Sequence, residues 1–197
     1  GNMPKMKLRV GVIGTGAIAD EKHLPNWQEL EAEGRVELIG ACDILPARAN
    51  EMAAKYGARV VHTDYKKMLS DGQYDIIDVC TQNRWHAPIT IAALNAGAHV
   101  IVEKPMAMNS AECRAMIDAA RKAGVQLVVG HSHSFDAPIL HTKKLIESNA
   151  FGRVRMMTAL DFTDFLYRPR RPEELDTDKG GGVLYNQAAH QVDILRL

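Results

Sequence analysis

Two glycines and an alanine stand at a spacing that can bind an anionic group. The run Val10–Ala19 reads VGVIGTGAIA, so Gly14, Gly16 and Ala19 form a G-x-G-x-x-A pattern between a strand-like and a helical stretch. Here the first glycine permits a tight turn, the second lets the backbone approach a pyrophosphate, and the alanine allows close helix–strand packing. The pattern predicts a dinucleotide-binding turn, although a plain strand-to-helix turn can share it.

A carboxylate after the next apolar run strengthens this interpretation. Asp43 ends that run at about the distance at which dinucleotide-binding domains place an acid for the ribose hydroxyls. A carboxylate would repel the additional phosphate of NADP, so NAD is predicted and NADP is less favoured unless Arg48 compensates. Asp43 is also placed to cap a helix before Pro46, and the two roles are compatible.

The elements that must position these residues alternate along the first part of the chain. Apolar runs predict strands near 7–13, 36–42, 59–61, 75–80, 98–102 and 126–130. Amphipathic stretches predict helices near 17–31, 46–56, 64–70, 85–96 and 110–123. Strands alternating with helices indicate an α/β fold with a doubly wound parallel Rossmann sheet.

The pattern changes near residue 132. We predict an NAD(P)-binding Rossmann domain over 3–132 and the incomplete start of an α+β substrate domain over 133–197. The second part has a predicted helix at 136–148, a strand-like run Val154–Phe162 and a helix at 183–197. These elements do not make a complete core, which predicts a chain truncated inside its substrate domain.

Composition restricts the class of partner. The 197 residues are 46% hydrophobic and carry 24 basic and 24 acidic side chains, so the formal net charge is zero. Without a long basic run or an apolar stretch of ~20 residues, we expect a small-molecule substrate and neither nucleic acid nor membrane. The three cysteines, Cys42, Cys80 and Cys113, lack disulfide or zinc spacing and favour a cytoplasmic location.

Four motifs together resemble those of the Gfo/Idh/MocA oxidoreductases. They are the glycine turn, the run TQNRWHAP at 81–88, the tripeptide Glu103-Lys104-Pro105, and the glycines 180–182 followed by His190 and Asp193. They occur in the family's order over nearly the whole chain. The resemblance implies an NAD(P)-dependent dehydrogenase acting on CH-OH or CH-CH groups, and a homo-oligomer in full-length form.

The resemblance also implies roles for matching residues. Lys104 would be the principal catalytic residue, Glu103 would orient it, and Asn83 and His86 would lie near the cofactor. Oxidation of a secondary alcohol requires a base for the hydroxyl proton, which a lysine supplies if its pKa falls from ~10.4 towards neutrality. The alternative for Lys104 is an ordinary surface lysine.

One position departs from the family pattern. Many members carry aspartate four residues before the motif histidine, whereas this chain has Asn186 before His190. An amide cannot carry a proton in a relay, so the proton path must use Lys104, His190 or water. His190 is therefore a second candidate acid or base, and a buried structural histidine is its alternative.

Substrate-binding candidates lie in the second part. Arg168, Arg170 and Arg171 present three guanidinium groups, which bind carboxylates bidentately. A solvated loop paired with Glu173, Glu174, Asp176 and Asp178 would explain them equally well. His133, with His131 two residues before it, is a candidate for substrate contact, and no third residue at ligand spacing indicates a metal.

The stretch from Arg168 to His190 resembles the branch of the family that contains phthalate 4,5-cis-dihydrodiol dehydrogenases. It implies oxidation of a secondary alcohol on a cyclic, carboxylated diol, with hydride transfer to NAD and tautomerisation to an aromatic catechol. The alternatives are a sugar or inositol dehydrogenase and a non-catalytic NAD-binding redox sensor.

Overall fold

Short apolar runs in the first part of the chain form one parallel sheet. The computed structural model describes residues 6–164 and 167–197. Its strands are β1 (Leu8–Ile13), β2 (Val36–Cys42), β3 (Val60–His62), β4 (Ile76–Val79), β5 (His99–Val102) and β6 (Leu127–Val129). They pair in the order β3-β2-β1-β4-β5-β6, and every pairing is parallel. This order confirms the predicted doubly wound Rossmann sheet.

Helices cover both faces of the sheet, which is why its central strands are mostly apolar. They are α1 (Leu24–Ala32), α2 (Pro46–Tyr56), α3 (Tyr65–Asp71), α4 (His86–Asn95) and α5 (Ser110–Ala123). One buried cluster includes Leu24 and Trp27 of α1 together with Leu38 of β2. The other includes Leu94 of α4 and Met116 of α5. A π-helical segment, Ala19–His23, leads directly into α1.

Three central strands end side by side at one edge of the sheet. Ile13 pairs with Val79, and Val79 pairs with Val102, so β1, β4 and β5 finish in register. Backbone hydrogen bonds continue this register beyond the strands, from Cys80 N to Ile13 O (2.8 Å) and from Glu103 N to Val79 O (2.9 Å). The residues that follow these strands therefore share one edge, as predicted for a parallel sheet.

The chain divides into two compact units between Val129 and Gly130. The second unit contains α6 (Ala137–Glu147), α7 (Pro172–Leu175) and α8 (Ala189–Leu195), and a π-helical segment, Leu184–Ala188, leads into α8. The helices predicted at 136–148 and 183–197 are therefore present, the latter in two parts. Residue 3, the predicted start of the first domain, lies outside the described residues.

The strand predicted over Val154–Phe162 is wrong for the structure described. These residues have no regular secondary structure, and Met156, Leu160 and Phe162 are 83%, 74% and 90% exposed. A strand needs a neighbour to take its backbone hydrogen bonds, and the described part of the second unit contains no other strand.

Backbone geometry at two glycines yields a stability prediction. Gly14 and Gly57 both have positive φ, +89° and +82°, so alanine at either site costs about 1–2 kcal/mol. A Cβ at Gly14 would also lie 2.6 Å from the carbonyl oxygen of Cys80, whereas at Gly57 it would meet no described atom within 4 Å. We expect Gly14→Ala to lower the free energy of unfolding by an additional ~1–3 kcal/mol relative to Gly57→Ala. Urea unfolding followed by circular dichroism measures this, and equal losses would contradict it.

Candidate active site

The turn after β1 has the shape required to hold a pyrophosphate. Gly14 N donates to the Cys42 carbonyl at 2.8 Å, and the backbone of Gly14 packs directly on Cys80. Gly16 is less crowded, since a Cβ there would meet Arg48 Nη1 at 3.5 Å. Ala19 is fully buried in the core cluster of α1. An accessible glycine backbone, a helix start and a nearby guanidinium fit an anionic dinucleotide bridge.

Asp43 joins this turn to the start of α2. Its Oδ2 accepts hydrogen bonds from Thr15 N (2.9 Å) and Thr15 Oγ1 (3.2 Å), and its Oδ1 accepts from Leu45 N (2.9 Å). The N-cap position of α2 is Leu45, so Asp43 braces the preceding turn and is not the cap itself. A carboxylate has about four acceptor positions, so one remains on Oδ1 for a ribose hydroxyl. Arg48 Nη1 lies 3.7 Å from Oδ2.

A cluster of charged side chains lies beside the ends of β4 and β5. His23 Nδ1 is 2.8 Å from Asp78 Oδ2, and His23 Nε2 is 2.8 Å from Glu103 Oε1. Trp27 Nε1 donates to Asp78 Oδ2 at 2.6 Å, and Cys80 Sγ donates to Asp78 Oδ1 at 3.4 Å. Asp78 is fully buried, and the side chains of His23 and Glu103 are each 14% exposed. One imidazole thus bridges two carboxylates.

The bridge holds His23 in its charged form. Burial alone would lower the pKa of His23, but hydrogen bonds and attraction to Asp78 and Glu103 outweigh burial and raise that pKa to about 10. Burial raises the pKa of Glu103, whereas its contacts with His23 and its proximity to Lys104 lower it, with a net lowering. At neutral pH the cluster therefore contains an imidazolium between carboxylates.

Lys104 lies immediately after β5 and Glu103. Its side chain is partly buried, and this burial lowers its pKa, while the negative charge of Glu103 opposes the change. The backbone N of Lys104 donates to Glu103 Oε2 at 3.1 Å. A half-buried lysine with a lowered pKa at this edge has the properties that the sequence predicts for a base.

The loop after β4 is tied to the segment after β5 by His86. This residue is fully buried, with Nδ1 2.7 Å from the carbonyl oxygen of Pro105 and Nε2 3.0 Å from that of Thr81. Burial lowers the pKa of His86, and a neutral imidazole donates to one of these carbonyls at a time. Asn83 begins a short 3-10 helix, Asn83–Trp85, that leads into α4. Both residues thus belong to the same sheet edge as Gly14.

Candidate residues of the second unit form a separate group. The rings of His133 and His190 meet edge to face with centroids 4.4 Å apart, and His133 Nδ1 lies 2.9 Å from Asp136 Oδ2. Asn186, in the π-helical segment, donates from Nδ2 to the carbonyl of the preceding Gly182 at 3.1 Å. The structure therefore brings His133 and His190 together, which their distance in sequence did not reveal.

A buried carboxylate anchors this group. Ser134 Oγ donates to Asp193 Oδ2, and Arg196 donates to Asp193 Oδ1 from Nη2 at 2.7 Å and from Nε at 3.0 Å. Asp193 is 4% exposed, so the short 3-10 helix Ser132–Phe135 and α8 are joined through a compensated buried charge.

The three arginines predicted to bind substrate have local partners. Arg168 Nε lies 2.9 Å from Asp164, while Arg170 and Arg171 lie 3.9 and 3.6 Å from carboxylate oxygens of Glu174. The side chains of Arg168 and Arg171 are 58% and 65% exposed. Exposed pairs such as those of Arg168 and Arg171 contribute roughly 0–1 kcal/mol, whereas the side chain of Arg170 is only 17% exposed.

Sequence reasoning assigned no function to His23 and did not single out Asp78. The available signal was a charged residue, Asp78, inside the apolar strand Ile76–Val79. Among the described residues, His23, Asp78 and Cys80 are also the group whose ligand-type atoms lie within 4.8 Å of one another. Burial keeps the pKa of the Cys80 thiol well above its usual range, and both ring nitrogens of His23 are within hydrogen-bond distance of carboxylates.

Comparisons with known proteins agree with this geometry. Residues 8–131 match the profile of an oxidoreductase family with an NAD-binding Rossmann fold, and residues 139–197 match the GFO/IDH/MocA C-terminal domain. No described helix is long and apolar enough to cross a membrane.

Similar proteins include several dehydrogenases. The chain is 45% identical over 96% of its length to 1-carboxy-3-chloro-3,4-dihydroxycyclohexa-1,5-diene dehydrogenase of Comamonas testosteroni, covering 47% of that protein. It is 34% identical over 80% of its length to D-glucoside 3-dehydrogenase of Escherichia coli, covering 44% of it. The WlbA dehydrogenase of Bordetella pertussis, solved with NADH and UDP-GlcNAcA, superposes with a TM-score of 0.79 at 31% identity, over 96% of this chain and 57% of that one. The chain thus spans about half the length of the curated relatives it matches.

The His23 bridge predicts a particular dependence of stability on pH. The pKa of His23 is about 10 in the folded chain and 6.5 in the unfolded one, so its contribution is complete below pH 6.5 and is lost as pH rises to about 10. We expect His23→Gln to flatten the decline in unfolding free energy across this range, while His141→Gln, an exposed control, leaves it unchanged. Urea unfolding at several pH values measures the slope, and an unaltered slope in His23→Gln would refute the assignment.

Proposed function

Because the chain belongs to the Gfo/Idh/MocA oxidoreductase family, we propose that it carries the cofactor site and catalytic base of an NAD-dependent dehydrogenase. The reaction is oxidation of a secondary alcohol on a cyclic, carboxylated diol. The observation that carries this proposal is Lys104, a half-buried lysine with a lowered pKa at the sheet edge that also bears the glycine turn.

The proposed mechanism gives each residue at this edge a defined task. The backbone at Gly14 and Gly16 approaches the pyrophosphate, and Asp43 accepts a ribose hydroxyl. NAD, when bound, supplies the hydride acceptor. Lys104 in its neutral form accepts the hydroxyl proton as the carbinol C–H bond breaks and the C=O bond forms. Burial favours that neutral form.

The substrate class is supported by the relative that resembles this chain most among those compared above. Its name specifies a ring with one carboxyl and two hydroxyl groups. We propose that Arg168, Arg170 and Arg171 bind such a carboxylate and that His133 contacts the substrate. Oxidation of the diol then gives a ketone that tautomerises to a catechol, and aromatisation favours this direction.

A sugar or inositol dehydrogenase is the second candidate. The 34% identity to a D-glucoside 3-dehydrogenase favours it, because that relative's name specifies a polyhydroxylated, uncharged substrate. A substrate screen separates the two candidates, since the arginine loop provides no advantage for a neutral sugar.

We further propose that residues 3–132 form the cofactor domain and 133–197 begin the substrate domain, as the limits of the two family matches support. His190 is the proposed second acid or base, and Asn186 adjoins it without relaying protons. We also propose that the full-length protein forms a homo-oligomer. A cytoplasmic location is proposed as well, and the three free cysteines support it.

Replacement of Asp43 tests the choice of cofactor. In Asp43→Asn the amide no longer repels the extra phosphate of NADPH and offers a weaker acceptor to the ribose. We expect the affinity for NADH to fall by about tenfold, so that the preference for NADH over NADPH becomes smaller. Fluorescence titration with both nucleotides measures this. Thr15→Val is the control, because it removes one hydroxyl donor to Asp43 and keeps the carboxylate. An equal loss of NADH affinity in Thr15→Val would mean that disturbance of the turn, and not loss of the carboxylate, causes the effect.

Replacement of Lys104 tests the proposed chemistry. Lys104→Met removes the base, so we expect NAD reduction by a carboxylated cyclohexadiene diol to fall by about 10²–10⁴-fold while NADH still binds. Lys122→Met, at an exposed position of α5, is the matched control and should retain activity. Turnover that survives Lys104→Met would reject Lys104 as base. Absence of turnover in a full-length protein with bound cofactor would favour the redox-sensor alternative.

A further inference from the structure

Glu103 is held from both sides. Its Oε1 contacts His23 Nε2 at 2.8 Å, and its Oε2 accepts the backbone N–H of Lys104 at 3.1 Å. The carboxylate has little freedom to rotate, because each of its oxygens has a partner in a largely buried setting. The orientation of Glu103 relative to Lys104 therefore depends on His23.

We infer that His23 is a positioning residue for Lys104, acting through Glu103 by fixing that carboxylate and compensating its charge. The inference rests on the proposed function of Lys104 as a base. It adds to that function a residue 81 positions earlier in the chain, in the π-helical segment before α1.

The side chain at position 23 has to be one that donates in two opposite directions. Asp78 and Glu103 would repel each other across this site, and the protonated imidazole places one N–H towards each carboxylate. Trp27 Nε1 supplies a further donor to Asp78, at 2.6 Å. A glutamine at position 23 could donate to one carboxylate and would turn its oxygen towards the other.

The charge of His23 bears on the proton affinity of Lys104. Burial lowers the pKa of Lys104, and the charge of Glu103 opposes this effect. A cation on the far side of Glu103 weakens that opposition, so His23 favours the neutral form of the amine. The titratable groups that face this cluster are Asp78, Cys80, His86, Glu103 and Lys104.

A direct test measures the titration of Lys104 in the full chain without requiring turnover. Brief labelling with acetic anhydride over a pH series, resolved by peptide mass spectrometry, gives the midpoint at which Lys104 becomes reactive. We expect His23→Gln to move this midpoint upward by about one pH unit, since a nearby cation is lost. His141→Gln, at an exposed position of α6, should leave it unchanged.

Two further variants distinguish positioning through Glu103 from general support of the fold. In a Glu103→Gln background, His23→Gln should shift the Lys104 midpoint by much less than in the original chain. Asp78→Asn removes a negative charge and should not raise the Lys104 midpoint. If the variants only loosened the cluster, Lys104 would become more exposed, and its midpoint would rise in both Asp78→Asn and His23→Gln.

An unchanged midpoint in folded His23→Gln would overturn the inference, as would equal upward shifts in His23→Gln and Asp78→Asn. If His23→Gln does not fold, the Asp78→Asn result alone decides between compensation and loosening. These midpoints can be measured even if the chain has no dehydrogenase activity. Failure of the proposed activity can therefore be distinguished from failure of the proposed role of His23.

Discussion

The fully buried carboxylate of Asp78, in a central strand of the sheet, is the constraint around which this edge is organised. An uncompensated charge at such a position costs several kcal/mol, and the penalty is met by His23 and Trp27, which approach from one helical stretch. Since the imidazole has a second N–H, the same side chain also contacts Glu103, which follows β5. The residue that compensates the buried charge of β4 thereby also fixes the Glu103 carboxylate next to Lys104.

The glycine turn is organised by a second local constraint. Gly14 lies so close to the end of β4 that a side chain would collide with Cys80, and Asp43 binds both the turn and the start of α2. Most of the acceptor capacity of Asp43 therefore stabilises the backbone, and one acceptor position is left for the proposed ribose contact.

Much of the first unit was predictable, because its signals are local. Strand and helix periodicity, the glycine spacing and the E-K-P tripeptide each lie within a short segment, and parallel pairing then brings Gly14, Asn83 and Lys104 to one edge. The role of His23 was not predictable in this way. It depends on Asp78 and Glu103, which are 55 and 80 residues away in sequence and become neighbours only through the strand order.

The second unit shows where local signals fail. The run Val154–Phe162 has the composition of a strand but lacks a described neighbour, so it has no regular structure. Arg168, Arg170 and Arg171 pair with Asp164 and Glu174, and only the latter belonged to the partners expected from sequence. Charge composition predicted pairing between these arginines and nearby carboxylates, but the choice among several carboxylates depends on the conformation of the segment.

Hydrogen exchange of the chain with and without NADH, resolved by mass spectrometry, tests most directly whether the sheet edge is the cofactor site. The account predicts slower exchange on NADH addition in segments 14–19, 81–86 and 103–106, with little change in α5. Unchanged exchange in all three segments, or protection confined to other parts of the chain, would contradict it.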